Sequence, residues 1–248
     1  MNSCFGRFFT AKYLYAVFIA MIAFTRASYA QPDKLGSWEM VNINYQFTRH
    51  VSFFGEIQAR SQRLANDFFY HEAKGGVGYS IGKKISFLVA AGDYRTYAFP
   101  GNFKSLQTKE FRFWQQFSFK SSLDPVRVDH RFRIEQRWLN GVYRNRFRYR
   151  INPVVPINHK TIVPGTLYGV VFDELFFTNQ APYFERNRFF AGLGYQFSRL
   201  FAVQSGFLRQ FDYRKTDDGT GKNFLQTSLL FKLERKESIA PRHPQMID

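Results

Sequence analysis

The sequence predicts an all-β protein, an integral outer-membrane antiparallel β-barrel of 10 to 12 strands. Three observations carry that expectation. The N-terminus has the layout of an export leader, period-two alternation dominates from Ser37 onward, and most alternating segments run 11 to 13 residues. Ordinary globular strands are about 5–6 residues long, whereas strands that cross a bilayer need ~9–11.

The leader comes first. Arg7 and Lys12 make a basic start, Leu14 to Phe24 is an apolar run of eleven, and Ser28-Tyr29-Ala30 places small residues before Gln31. That is the order of a secretory signal peptide cleaved after residue 30. The run falls short of the ~20 residues of a permanent helical span, which disfavours an N-terminal anchor. The expected organisation is a signal peptide over 1–30, a barrel over 31–233 and a flexible, charged, proline-bearing tail over 234–248. Export through the Sec pathway would lead the mature chain to the bacterial outer membrane, inserted there by the barrel-assembly machinery.

Composition narrows the classes. Cys4, the single cysteine, lies inside the leader, so the mature chain has neither disulfides nor thiolate metal sites. The formal charge is +16, and loss of Arg7, Lys12 and Arg26 with the leader leaves +13. Excess positive charge favours anionic partners, and export argues against nucleic acid. The 31 Phe, 14 Tyr and 3 Trp are too many for a disordered chain.

Eleven segments alternate in turn. Segment 37–47 is marked by aromatics and leads through Thr48–His50 into 51–63, which ends in arginine. Segment 70–81 carries Glu72, Lys74 and the glycines 75, 76 and 78, and a tight turn at Gly82–Lys84 joins it to 85–97. In 108–120, Phe111, Phe113, Phe117 and Phe119 oppose Glu110, Arg112, Trp114, Gln116 and Ser118. In 128–139, His130, Phe132, Ile134 and Trp138 oppose Asp129, Arg131, Arg133, Glu135 and Arg137. In 143–153, Arg144, Arg146, Arg148 and Arg150 oppose Phe147, Tyr149 and Ile151. In 186–197, Phe189, Ala191, Leu193, Tyr195 and Phe197 oppose Arg186, Arg188, Phe190, Gly192, Gly194 and Gln196. In 223–233, Leu225, Leu229, Phe231 and Leu233 oppose Gln226, Ser228 and Lys232. Segments 85–97, 165–176 and 200–212 do not declare their faces. The apolar rows read as a lipid-facing band with aromatic girdles, and the charged rows as a polar interior.

The connections alternate between tight turns and longer polar stretches such as 64–69, 99–107, 177–185 and 213–222, as in outer-membrane barrels. Ser121–Arg127 is long for a turn, and Asn140-Gly141 is a tight hairpin signal where a loop is due. Bacterial barrels have even strand numbers, so eleven segments imply ten or twelve strands. Either one segment is split or spurious, or the stretch Gln31–Trp38 runs through the lumen or adds a short strand.

The stretches GSWEMVNINYQFTRHVSFFGEIQAR, VDHRFRIEQRW, RNRFRYR, FDELFF and NRFFAGLGYQF, in that order, resemble the outer-membrane barrels catalogued as domain of unknown function 2490. The resemblance runs from about Gly36 to Leu233. It implies a small barrel in a Gram-negative outer membrane and no particular reaction.

The candidate site is the charged lumen row: Glu110, Arg112, Arg131, Arg133, Glu135, Arg137, Arg144, Arg146, Arg148, Arg150, Arg186 and Arg188, with Glu56, Arg60, Glu72, Lys74 and Asp129 nearby in pattern. Three readings fit it. It fills a narrow polar interior with ion pairs, or it forms an anion-favouring constriction, or its rim members hold lipopolysaccharide phosphates. Glu110, Asp129 and Glu135 are too few to neutralise every arginine. The expected partners are outer-membrane lipid and, through these arginines, anionic solutes or lipopolysaccharide phosphates.

No cofactor or metal site is expected. His50, His71, His130, His159 and His243 show no ligand spacing, and His71 and His130 fall on mainly apolar faces as amphipathic surface residues. A hydrolase would need a serine within reach of a histidine. Ser118 and His130 lie on neighbouring strands but on opposite faces, and no GxSxG elbow occurs. Asp173 and Glu174, being consecutive, cannot form a carboxylate pair and read as strand-end charges near the outer rim. Gly192 and Gly194 relieve crowding inside the barrel and are no nucleotide loop. The leading function is therefore a small channel, a lipid-contacting scaffold or a partner-binding barrel. The alternative is an outer-membrane enzyme acting on lipid, an acyl hydrolase or transferase. A soluble lipocalin-like carrier is disfavoured by aromatic rows on too many strands.

Overall fold

Long period-two segments separated by turn residues can satisfy their backbone groups by pairing in sequence, and closure removes the last unpaired edges. The computed structural model, which describes residues 35–216 and 218–235, has that form. The leader 1–30 and nearly all of the tail lie outside the described residues. Eleven strands make up the fold: β1 (Gly36–Gln46), β2 (Val51–Arg63), β3 (Asn66–Ile81), β4 (Ile85–Tyr97), β5 (Leu106–Leu123), β6 (Val126–Leu139), β7 (Val142–Pro156), β8 (Thr166–Thr178), β9 (Phe184–Gln196), β10 (Phe201–Tyr213) and β11 (Gly219–Glu234). Each pairs with its sequence neighbour, and β1 pairs with β11 to close the barrel. The described residues contain no helix.

The count of eleven falls within the expected 10 to 12 strands and corrects the even number, ten or twelve, inferred from other bacterial barrels. Every one of the eleven segments is a strand, none is split, and the closing pair β1–β11 runs parallel from Gly36↔Phe224 to Gln46↔Glu234. An up-and-down series with an odd number leaves its first and last strands pointing the same way, so it closes only through a parallel seam. The barrel is thus antiparallel at every junction except this one.

Several strands outrun their sequence signals. β3 begins at Asn66, β5 ends at Leu123 and β11 begins at Gly219, so stretches that read as long loops are largely strand. The Ser121–Arg127 connection shrinks to Asp124-Pro125. Asn140 and Gly141 hold positive φ of 47° and 86°, the left-handed pair that a two-residue hairpin requires. Connections 47–50, 82–84, 124–125, 157–165 and 197–200 share one rim with the end of β11. The nine-residue 157–165 connection breaks the expected rule of tight turns on that rim.

Side chains alternate between an exposed outer wall and a buried interior. Ile57, Val77, Phe111, Phe147, Leu193 and Phe207 are among the exposed outer residues, while Trp114, Phe176 and Phe190 are buried inside. Strands β4, β8 and β10 carried no clear face signal because their inner rows are apolar too. Ala90 and Tyr94 on β4, Tyr168, Val170, Phe172 and Phe176 on β8, and Leu208 on β10 all point inward. Trp38, Met40, Val154, Phe190 and Phe224 join Tyr168, Val170, Phe172 and Leu208 in one apolar cluster. Glycines make room for this filling: a Cβ at Gly194 would stand 2.1 Å from the Tyr168 ring.

Candidate functional site: a charged barrel interior

The Asn140-Gly141 turn fixes the register of β6 against β7, and that register aligns their charges. Arg131 faces Arg150, Arg133 faces Arg148, Glu135 faces Arg146 and Arg137 faces Arg144. Neighbouring strands are only ~4.8 Å apart, so guanidinium groups meet guanidinium groups at three of these four positions. Such a row is tolerable only with carboxylates threaded through it.

Glu135 is the first of them. It accepts from Arg146 Nε at 2.8 Å and lies 2.7 Å from Arg146 Nη2 and 2.5 Å from Arg148 Nη1. Glu174, which β8 places opposite Arg150, is the second. It accepts from Arg131 Nη2 at 2.6 Å and from Arg148 Nη2 and Nε at 2.7 and 3.0 Å. Towards the rim of the Asn140-Gly141 turn, Glu110 holds Arg112 at 2.6 Å and also bonds Arg137 Nε. Glu185 reaches Arg137, Arg144 and Arg146 at 3.2, 3.4 and 3.6 Å. Arg186 pairs with Asp212.

Carboxylates still do not match cations. At mid-barrel Arg131, Arg133, Arg146, Arg148 and Arg188 share Glu135 and Glu174. Aromatic faces take part of the load. Arg148 and Arg188 lie 4.6 and 4.8 Å from the Phe176 ring, Arg133 lies 5.0 Å from Trp114, and Arg150 lies 4.9 Å from Phe172. A guanidinium is weakly hydrated and planar, so it can stack on a ring where an ammonium would lose more hydration. These interior rings are thus the complement of the arginines as well as core.

A smaller cluster on β2 and β3 is balanced. Lys74 lies between Glu56 and Glu72, at 2.7 Å from the latter. Arg60 pairs with Glu72 at 3.2 Å and lies over Trp38 and Tyr70 at 3.4 and 4.1 Å. The Tyr70 hydroxyl donates to Glu72, and Asn42 donates to Glu56 at 2.9 Å.

All twelve residues singled out from the sequence point into the barrel, and ten of them are buried; Arg144 and Arg186 are partly so. Two acids were misplaced. Glu174, read as a strand-end charge near the outer rim, is 1 % exposed in the middle of the network. The even-numbered row Thr166, Glu174 and Thr178 carried its phase, but the apolar residues on both faces of β8 masked it. Glu185, read as loop, is strand, and the register shift at Phe176/Phe177 brings both it and Arg186 onto the network. A β-bulge re-aims a side chain in this way, and local alternation does not reveal it. The structure keeps Ser118 inside and His130 outside, and it sets a different serine, Ser121, against His130 at 3.2 Å.

An internal pocket lies near the rim of the 157–165 connection. Asn42, Asn152, Arg127, Lys232 and Tyr168 line it, with Ile162 of that connection bent in among them, and its volume is about 40 Å³. At ~10–15 Å³ each, about three waters fit. Among the described residues no group of three or more His, Cys, Asp or Glu could hold a metal ion.

A family model described as "Protein of unknown function (DUF2490)" matches residues 35–220. The chain belongs to this family. The match begins one residue before β1 and ends within β11, so it spans the whole interior network of this DUF2490 barrel. No enzyme family is among the findings, and no curated protein and no solved structure matches the chain.

Proposed function

We propose that this DUF2490 protein is an integral outer-membrane barrel that is closed by its own side chains and acts as a lipid-contacting, structural barrel. One observation carries the closed lumen. Trp114, Arg131, Arg133, Arg146, Phe176 and Phe190 project inward from five strands and are each buried at or near 0–2 % exposure. An eight-stranded barrel is already filled by side chains, and bulky arginine–aromatic stacks extend that filling to eleven strands.

The outer wall supports the membrane reading. Aliphatic and aromatic residues dominate it on every strand, and aromatic contacts such as Phe111–Trp138, Trp138–Tyr143 and Phe87–Phe117 run around it, as in the lipid-facing bands of known barrels. The leader-like residues 1–30 support export through the Sec pathway, with insertion by the barrel-assembly machinery. Membrane fractionation tests this reading: the protein sediments with the outer membrane and its gel mobility shifts on boiling. Recovery in the soluble fraction, without a heat-dependent shift, overturns it.

The charge excess favours a second reading, in which the interior holds a small anion. Five arginines around two glutamates at mid-barrel favour anions over cations. Phosphate or sulfate that co-purifies with the folded barrel, and is lost on its unfolding, is the expected result. Its absence from native mass spectra of the folded protein counts against this reading.

A further inference from the structure

The outer wall near the Asp124-Pro125 turn carries a hydrogen-bonded relay across three strands. Ser121 on β5 lies 3.2 Å from His130 Nε2 on β6. His130 Nδ1 in turn lies 3.0 Å from the Tyr149 hydroxyl on β7. Phe119 stacks on the imidazole with centroids 4.3 Å apart and planes 10° from parallel, and the Tyr149 ring plane is 20° from parallel to it. The ring is held in one orientation by a stacked face and by partners at both nitrogens. Ser121 itself is exposed.

We infer that Ser121 is an acyl-accepting nucleophile, with His130 as its general base and Tyr149 as a positioning residue, and that its substrates are acyl esters of membrane lipids. The tautomer that serves this role has its proton on Nδ1. It donates to the Tyr149 oxygen and leaves the Nε2 lone pair aimed at the Ser121 hydroxyl. This is the nucleophile–base–orienter order of serine hydrolases. The substrate class follows from place. The relay opens outward, beside the aromatic residues Phe117, Phe119 and Phe132, and two residues before β5 ends at Leu123. Aromatic rings flanking an apolar band sit at headgroup depth, where the ester bonds of lipids lie. The inference rests on the proposal that this wall meets lipid.

The chemistry balances with water as co-reactant. Ser121 Oγ bonds to the ester carbonyl carbon while its proton passes to His130 Nε2. Collapse of the tetrahedral adduct breaks the bond to the alcohol oxygen, which takes that proton and leaves. Water then attacks acyl-Ser121, giving its proton to the same nitrogen. The carboxylic acid departs and Ser121 recovers its hydrogen. The relay supplies nucleophile, base and orientation, so covalent capture reports it more directly than turnover.

The test uses the full mature chain, folded in detergent micelles and checked by its heat-dependent mobility. A fluorophosphonate should add one phosphonyl group at Ser121. General-base assistance is typically worth ~10²–10⁴, so His130→Ala should slow labelling about 100-fold. Tyr149→Phe should slow it several-fold, and Tyr149→Gln, whose amide oxygen can accept from Nδ1–H, should restore part of the loss. Vesicles of phosphatidylethanolamine and phosphatidylglycerol should release fatty acid with the wild-type protein and not with Ser121→Ala. The inference is overturned if the heat-shifting wild-type protein labels no faster than Ser121→Ala or His130→Ala. It is overturned equally if fatty acid release matches that of Ser121→Ala. Loss of the heat shift in the wild type would instead strike the membrane reading beneath it.

Discussion

Glu174 accepts hydrogen bonds from Arg131 and Arg148 inside the barrel, while Asp173, one residue earlier, faces outward and accepts from Asn187 at 2.7 Å. Removing one partner of a buried ion pair costs ~3–5 kcal/mol because the other charge stays buried without it. Glu174→Gln is therefore expected to lower the unfolding free energy of the micelle-folded barrel by about that amount in a urea titration. Asp173→Asn should change it by less than about 1 kcal/mol, as for a half-exposed polar contact. Equal effects would show that Glu174 is not a keystone of the network. At this scale the arginine rows on β6 and β7 were legible because their opposite faces are apolar. Glu174 was not, because β8 is apolar on both faces, and Glu185 was not, because a bulge set its direction.

Strand existence was the most legible feature, since a run of 11 to 13 alternating residues is hard to mistake for anything else. The parallel sense of the closing pair was not legible. Evenness is a habit of bacterial barrels, and nothing in β1 or β11 alone says that the two run parallel. The seam predicts a cross-link. Ile43 and Phe231 are register partners, and neighbouring strands ~4.8 Å apart fall within disulfide reach. Because Cys4 is the single native cysteine, the double variant Ile43→Cys/Phe231→Cys on a Cys4→Ser background should form one intramolecular disulfide on mild oxidation, read as a mobility change reversed by reductant. The mismatched pair Ile43→Cys/Leu225→Cys should form little, and a reversed preference would mean another register. Interior glycines are a second element-scale constraint. A side chain at Gly194 would collide with Tyr168 across the β8–β9 pair, so Gly194→Leu should abolish the folded band of the unboiled sample that Gly55→Ala keeps, since open space surrounds Gly55.

Across the whole molecule, the arginines do two jobs that the sequence could not apportion. Their charge is partly neutralised by Glu110, Glu135, Glu174 and Glu185, and their planar ends fill space against Trp114, Phe172 and Phe176. The sequence made a charged lumen plain but left open whether it conducts, because inward aromatics on β4, β8 and β9 look like any other apolar residue until the barrel is closed. Once it is closed, they are buried in the interior together with the arginines. Conductance of the heat-shifting, folded protein in a planar bilayer tests that central claim most directly. The account predicts a silent membrane, with no stepwise current at moderate voltage in molar chloride. Stable ohmic steps that reverse at an anion-selective potential would contradict it and make the arginine row the lining of a pore.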